Sequence, residues 1–285
     1  APRAPGSTLK PFVYALAMER NRLYPTEILL DNTLDFGVYN PENFNGKFNG
    51  MVSAGEALRW SLNVPAIQVQ ERAGVEETRT FLKNLGMDTL NRSADAYGLG
   101  LVLGNCEVRL ESLMEAYLTL ARLGEHTPLR LMADQPNPTP TRVLSEGVAL
   151  AIWNMLEQPF PEEPFTSLTS PGDRKTRVCW KTGTSTGYHD AWGVAFNRHY
   201  VVGVWVGNSS GRASNRLVGA HAALPLTAQV FRSLPVPHTP DWPQRDDRLV
   251  ETEICAATGL PKSPWCPTVV TGWIPQNQYI NRRCD

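Results

Sequence analysis

Apolar positions in the first half of the chain fall at helical spacing. Ser7–Glu19 reads as a helix entered from Pro5-Gly6. Asn32–Gly50 is rich in Asn, Gly, Phe and Tyr and reads as a long loop. Ser53 and Glu56 have the spacing of a capping box, in which each side chain bonds the other's backbone N–H at a helix start. That helix is expected to run on through Ala57, Leu58, Trp60 and Leu62, with Pro65 marking a boundary before a second stretch, Ala66–Ala73. Gly98–Gly104 reads as a small-residue loop. Leu110–Leu123 is a strongly apolar helix stopped by Gly124, a common helix terminator, and Val143–Leu156 is another, entered at Ser145.

The period then shortens to two. Val178–Ser185, Ala191–Phe196 and Tyr200–Val206 read as strands, the last two joined by a short turn at Asn197-Arg198-His199. In the third strand Val202, Val204 and Val206 share one face, and Val201, Gly203 and Trp205 the other. Both faces are apolar or small, which predicts a central strand covered on both sides. Ala222–Leu234 returns to helix. Pro235, Pro237, Pro240 and Pro243 then interrupt any regular element, so the boundary is placed there: one domain over 1–234 and a Pro- and Cys-containing segment over 235–285. No internal repeat is evident.

Composition narrows the classes. The chain has 285 residues, 42% apolar and 19% charged, enough apolar surface for a core and too little charge for a disordered chain. A net charge of −1 without a basic block argues against nucleic acid as partner. No apolar run has bilayer length, and no signal peptide is visible. The chain opens Ala1-Pro-Arg-Ala-Pro-Gly6 rather than with Met and reads as a fragment or processed piece. The cysteines are Cys106, Cys179, Cys255, Cys266 and Cys284. None forms a C-x-x-C pair, which argues against a zinc ribbon or a thioredoxin-like centre. The last three crowd together, and either a Cys255–Cys266 disulfide in an oxidising compartment or three free thiols fits. The histidines show no metal-binding spacing; His189 alone follows the lysine motif described next closely enough to line a cleft. The glycines of 98–104 are wrongly spaced for a dinucleotide fingerprint.

Three short stretches carry candidate chemistry. In Ser7-Thr-Leu-Lys10 the hydroxyl and the amine share a helix face. The lysine can activate the serine only when neutral, which burial and a second nearby cation both favour. Alone the tetrapeptide is uninformative, since on the order of one is expected by chance. Ser61-Leu-Asn63 puts a hydroxyl and an amide at a helix end. Lys181-Thr182-Gly183-Thr184 lies on a predicted strand, where the glycine permits close backbone approach. There the lysine and hydroxyls can hold a carboxylate, and a strand edge can accept an extended peptide.

Taken together, in this order, the three stretches form the trio shared by penicillin-binding proteins and serine β-lactamases. With the flanks Pro5–Phe12, Ala57–Ala66 and Trp180–Ser185, and with Asp190-Ala-Trp192 followed by Val204-Trp-Val-Gly207, the sequence resembles a class A penicillin-binding protein transpeptidase domain. The run Thr184-Ser-Thr-Gly-Tyr188 narrows the resemblance within that class. The likeness runs from residue 5 to about 234, and the cysteine tail resembles the segment that follows this domain in such enzymes. It implies an α/β fold of the penicillin-binding and serine β-lactamase type, an antiparallel sheet flanked by helices with a helical subdomain. It implies a periplasmic D,D-transpeptidase that cross-links peptidoglycan stem peptides through a serine acyl-enzyme and is acylated by β-lactams. Ser7 would be the nucleophile, Lys10 its base and Ser61 a proton relay. Asn63, Lys181, Thr182, Gly183 and Thr184 would bind substrate, with no metal or organic cofactor.

The family places strands and a helix ahead of its Ser-x-x-Lys helix, whereas six residues precede Ser7 here. The first strands of the sheet are therefore expected to be missing from this chain, with a companion chain as one source of them, and membrane attachment is expected only through an upstream anchor. A serine β-lactamase, a D,D-carboxypeptidase, and a non-catalytic penicillin-binding sensor or scaffold module are the competing readings. The first needs an extra base to activate water, and no Glu-x-x-x-Asn pattern follows Ser61.

Overall fold

The computed structural model describes residues 1–33, 41–161, 177–235, 242–244, 246–278 and 282–284. A 3-10 turn, Gly6–Leu9, leads into α1 (Lys10–Glu19). There follow β1 (Ile28–Asp31), β2 (Gly50–Ser53), α2 (Ala54–Arg59), α3 (Asn63–Ala73), α4 (Val75–Asn84) and the short α5 (Ala94–Tyr97). Then come α6 (Leu110–Ala121), β3 (Glu125–His126), β4 (Thr141–Arg142), α7 (Glu146–Leu156), β5 (Cys179–Thr184), β6 (Asp190–Phe196) and β7 (Val201–Gly207). After a π-turn at Gly219–Ala223 the chain forms α8 (Leu224–Ser233), β8 (Leu249–Cys255) and β9 (Val269–Pro275). Residues 34–40 of the predicted loop, and Pro237 and Pro240 among the predicted breaks, lie outside the described residues.

The central layer is an antiparallel sheet in the order β5-β6-β7. β6 is buried at every position. Its alternate side chains face opposite sides of the sheet, as period two requires. Trp192, Val194 and Phe196 join the large core formed with α1, α6 and α7. Ala195 packs with Val178, Val202 and Phe231 of α8. A run of aromatic contacts crosses the large core: Phe12 to Tyr117 at 5.0 Å, Tyr117 to Phe196 at 5.9 Å, Phe196 to Trp153 at 5.1 Å and Trp153 to Trp242 at 4.8 Å between ring centroids. Helix α1 is buried from Lys10 through Met18, as a helix without a polar stripe must be.

Three expectations are corrected. The valine-rich strand β7 is not central: among the described residues it pairs with β6 alone and forms the sheet's edge. Its two apolar faces are covered by α6 and α8, and periodicity reports faces rather than neighbours in the hydrogen-bonding direction. The helix opened by the capping box, which is present with both of its bonds, stops at Arg59 instead of running through Leu62. Pro65 is no boundary but sits in the first turn of α3, where its missing N–H costs nothing. The capped entry of α7 at Ser145 is as expected, and α6 ends slightly early, at Ala121.

The tail folds back on the domain. Trp242 and Leu249 belong to the large core. The Gln278 side chain donates to the carbonyls of Met18, in the last turn of α1, and Leu23, just beyond it, at 3.1 and 2.7 Å.

Candidate active site

The turn that bears Ser7 is fixed from several directions. Arg3 exchanges backbone hydrogen bonds with Val108 at 2.9 Å. Trp192 Nε1 donates to the carbonyl of Ala4 at 2.8 Å, and the Tyr117 hydroxyl donates to that of Thr8 at 2.8 Å. Gly6, at φ 54°, lies flat against the backbone of Thr184, where a Cβ would come within 2.5 Å of the carbonyl oxygen. A Cβ on Gly183 would collide with the carbonyl of Pro5. Two glycines thus let the Ser7 turn and strand β5 touch backbone to backbone. Ser7 itself is half-buried.

Register decides which backbone groups of β5 face that turn. The N–H of Ser185 donates to Asp190, so Ser185 occupies a hydrogen-bonded position of the β5–β6 ladder. Thr184, opposite Ala191, then occupies the alternate position, and its N–H and C=O point outward, away from β6. Among the described residues no strand occupies that edge. The Thr184 hydroxyl accepts from Gly219 N–H at 2.9 Å, which leaves its own proton free to donate.

Ser61 owes its position to the end of α2. Leu62 N–H bonds the carbonyl of Ala57 at 2.9 Å, and Ser61 N–H that of Leu58 at 3.1 Å. This is the Schellman arrangement, which puts the residue after the cap in the left-handed region. Ser61 occupies it at φ 62°, where glycine is usual. The bend turns the carbonyls of Ser61 and Leu62 toward Lys10, whose Nζ donates to them at 2.7 and 3.0 Å and to Asn63 Oδ1 at 2.8 Å. The Ser61 hydroxyl accepts from Lys181 Nζ at 2.6 Å, and Lys181 also donates to Thr182 O at 3.0 Å. One serine therefore bridges the two amines, by its carbonyl to Lys10 and by its hydroxyl to Lys181.

Both lysines are buried. Burial drives the amine of Lys10 well below its usual range, and the charge on Lys181 adds to this while Asp31 opposes it. Burial alone brings Lys181 down to about 7. A buried ammonium beside a second one is costly, while the three acceptors around Lys10 Nζ engage all three protons of its charged form and oppose that cost.

Asn63, expected to bind substrate, also has partners within the chain. Its Oδ1 accepts from Lys10, its Nδ2 donates to Glu42 O at 2.7 Å, and its N–H donates to Asn43 Oδ1 at 2.8 Å. Asn43 in turn donates to both carboxylate oxygens of buried Asp31, which also accepts from the backbone and side chain of Asn49. These supporting residues are missing from the sequence reading. The one signal for them is the asparagine-rich composition of 32–50, which marks a loop without saying what the asparagines bond. His189 turns its Nδ1 to the carbonyl of Gly211 at 2.7 Å. Beside it Tyr188 meets Phe44 edge-on at 6.0 Å, so the β5–β6 turn and loop 41–49 touch.

Comparison with known proteins gives one consistent picture. Residues 1–221 match the family described as the penicillin binding protein transpeptidase domain. The chain is 38% identical over 231 residues to penicillin-binding protein 1C of Escherichia coli (strain K12), covering 80% of this chain and 29% of that protein. It is 31% identical over 222 residues to penicillin-binding protein 1F of Bacillus subtilis (strain 168), covering 73% and 30%. It thus spans less than a third of these two relatives. Among solved structures, penicillin-binding protein 1A from Haemophilus influenzae superposes with a TM-score of 0.74 at 22% identity, over 99% of this chain and 49% of that one. The PonA1 protein from Mycobacterium tuberculosis, solved in complex with penicillin V, superposes at 0.66 and 18% identity, over 86% and 73%. At such identities the superpositions speak to the fold.

Proposed function

The chain belongs to the penicillin-binding protein transpeptidase family, and from that premise we propose that it is the acyl-transfer domain of a peptidoglycan D,D-transpeptidase with Ser7 as nucleophile. The observation that carries the proposal is the double bridge at Ser61, which joins the Lys10 and Lys181 amines beside the Ser7 turn.

Lys10, in its neutral form and with one of its three donated hydrogen bonds released, takes the proton of Ser7 as its oxygen attacks the carbonyl of the penultimate D-alanine in a stem peptide. The developing oxyanion is held by the N–H groups of Ser7 and Thr184, donors fixed before the charge appears. The outward set of the Thr184 amide and the contact of Gly6 with Thr184 support that pairing. The Ser7 amide gains further from its place at the head of the helix. The C–N bond to the terminal D-alanine breaks, and the leaving amine receives its proton from Lys10 or through the Ser61 hydroxyl. An amine from a neighbouring stem peptide then attacks the acyl-enzyme, gives up a proton by the same route and releases Ser7, leaving the cross-link.

The stem peptide lies along the free edge of β5, with its terminal carboxylate held by Lys181, Thr182 and Thr184. Asn63 serves first to seat Lys10, and the second proton on its Nδ2 is left for the peptide. β-Lactams enter as strained mimics of the same terminus. The work is done on the outer face of the cytoplasmic membrane, where this polymer is built; among the described residues no helix is long and apolar enough to cross a membrane. Any strand supplied from ahead of the Ser7 motif, or by a companion chain, would pair along the outer edge of β7.

A β-lactamase must also activate water. The buried carboxylate of this network, Asp31, is spent on Asn43 and Asn49, which favours a long-lived acyl-enzyme. Incubation with a fluorescent penicillin followed by peptide mass spectrometry is the test. The Ser7 peptide is expected to carry the drug and Ser7→Ala to stay unlabelled. A folded protein whose Ser7 takes no label would point to the non-catalytic module, and release of the drug within seconds to a β-lactamase.

A further inference from the structure

The tail brings together cysteines that lie far apart in sequence. Cys255 ends β8, Cys266 lies in the loop before β9, and Cys284 comes from the C-terminal stretch, yet their sulfurs all lie within 4.8 Å of one another. All are free thiols. The loop between the first two is folded tightly against β8. Cys255 N–H bonds Leu260 O at 2.8 Å, Gly259 N–H bonds Cys255 O at 2.8 Å, and Lys262 N–H bonds Glu253 O at 3.0 Å. Cys284 N–H reaches Pro261 O at 3.1 Å. A backbone N–H also faces a sulfur: that of Ser263 donates to Cys266 Sγ at 3.2 Å.

We propose that Cys255, Cys266 and Cys284 together bind one zinc ion as thiolates, forming a structural clamp on the tail. A disulfide joins two sulfurs and leaves the third converging on nothing, whereas a metal centre uses all three. In a tetrahedral thiolate site with Zn–S near 2.3 Å the sulfurs stand roughly 3.8 Å apart, a small contraction from the present spacing. Soft sulfur ligands select zinc over hard cations such as magnesium or calcium. On binding, three S–H bonds lose their protons to solvent and three Zn–S bonds form with no change of oxidation state. The remaining tetrahedral position takes a water or another donor.

The clamp would act at a distance from Ser7. The turn after Cys255 is bonded to the approach to β1, through Ile28 N–H to Thr258 O at 2.8 Å and the Thr26 hydroxyl to Gly259 O at 2.6 Å. Arg282, two residues before Cys284, pairs with Glu27. Fixing Cys284 therefore pins the segment lying against the C-terminal end of α1. Sequence spacing gave no sign of this, because the usual zinc signature is a close C-x-x-C pair and these ligands meet only through the β8–β9 fold. The inference does not depend on the acyl-transfer reading.

The experiment uses the whole chain, produced in zinc-containing medium, purified without chelator and assayed by inductively coupled plasma mass spectrometry. About one zinc per chain is expected after extensive dialysis. Replacement by Co2+ is expected to give a thiolate-to-cobalt charge-transfer band. Cys266→Ser and Cys284→Ser should lose both signals, while Cys106→Ser, which changes a buried thiol outside the cluster, should keep them. Zinc-free protein, metal lost to simple dialysis, or a disulfide between any two of the three cysteines in protein isolated from zinc-containing medium would each overturn the proposal. The wild-type zinc content and cobalt spectrum decide it even where a variant fails to fold.

Discussion

Ser61 occupies the position after α2 where glycine usually sits, and holding an L residue there costs on the order of 1 kcal/mol. What that strain secures is a hydroxyl for Lys181 and a carbonyl for Lys10 in one residue. Ser61→Gly separates the two functions. It relieves the backbone and keeps the carbonyl, at the loss of one hydrogen bond worth about 1 kcal/mol. Its melting temperature is expected to stay close to the parent's, while penicillin acylation slows about 100-fold or more if the proposed proton relay is lost with the hydroxyl; stopped-flow labelling checks this. Lys181 gives a second residue-scale expectation. Below about pH 7 its ammonium is charged in both the folded and the unfolded chain, and the burial cost stands in full. Between about 7 and 10.5 the unfolded chain alone keeps the proton, so the cost is released as pH rises. Melts across that window should show the parent gaining stability relative to Lys181→Met as the medium becomes more alkaline. A difference that is flat or runs the other way would show that the amine is not desolvated.

At the scale of elements, the reactive turn and strand β5 come together through the absence of side chains. Gly183→Ala would push a Cβ into Pro5 O and the Thr8 side chain, and overpacking of this kind costs about 1–3 kcal/mol. Because the displaced parts are strand β5 and the turn that bears the proposed nucleophile Ser7, acylation should fall far more than stability does. Ser53→Ala is the contrasting case. It removes the capping box of α2 at about 1 kcal/mol while leaving the Lys10–Ser61–Lys181 contacts in place. It should therefore lower the melting temperature and leave the acylation rate within a few-fold of the parent. Equal losses of rate in the two variants would deny any special role to the glycine contact.

For the whole molecule, the question is whether the stretch beyond residue 234 stands apart or shares the domain's core. Trp242 stacks edge-on against Trp153 at 4.8 Å, and the Arg177 guanidinium lies 3.9 Å from its ring centroid. Gln278 bonds carbonyls in the last turn of α1 and just beyond it. Trp242→Ala should cost about 3–5 kcal/mol and shift the melting of the entire chain as one transition, followed by calorimetry. Two transitions, with the major one unmoved, would instead make the tail an independent unit.

The family was legible from short stretches of chain. A serine three residues before a lysine, a serine two before an asparagine, and Lys-Thr-Gly on a strand have chemistry set by local spacing, and structure and relatives agree with the family they imply. The strands and most helices were legible for the same reason, since the period of apolar positions is a local property. Other features depend on contacts between distant residues, which periodicity does not encode. The edge position of β7 depends on what lies beside it, and the break at Ser61 on a Schellman turn that a glycine would have announced and a serine does not. The use of Asn63 to hold Lys10 depends on a loop whose asparagines look alike in sequence. The meeting of three cysteines follows from a hairpin and a returning terminus. Sequence carried the motif residues; tertiary structure alone decided that Lys10 and Lys181 are buried together and joined through Ser61, because burial and proximity to a second charge are properties of the packed chain.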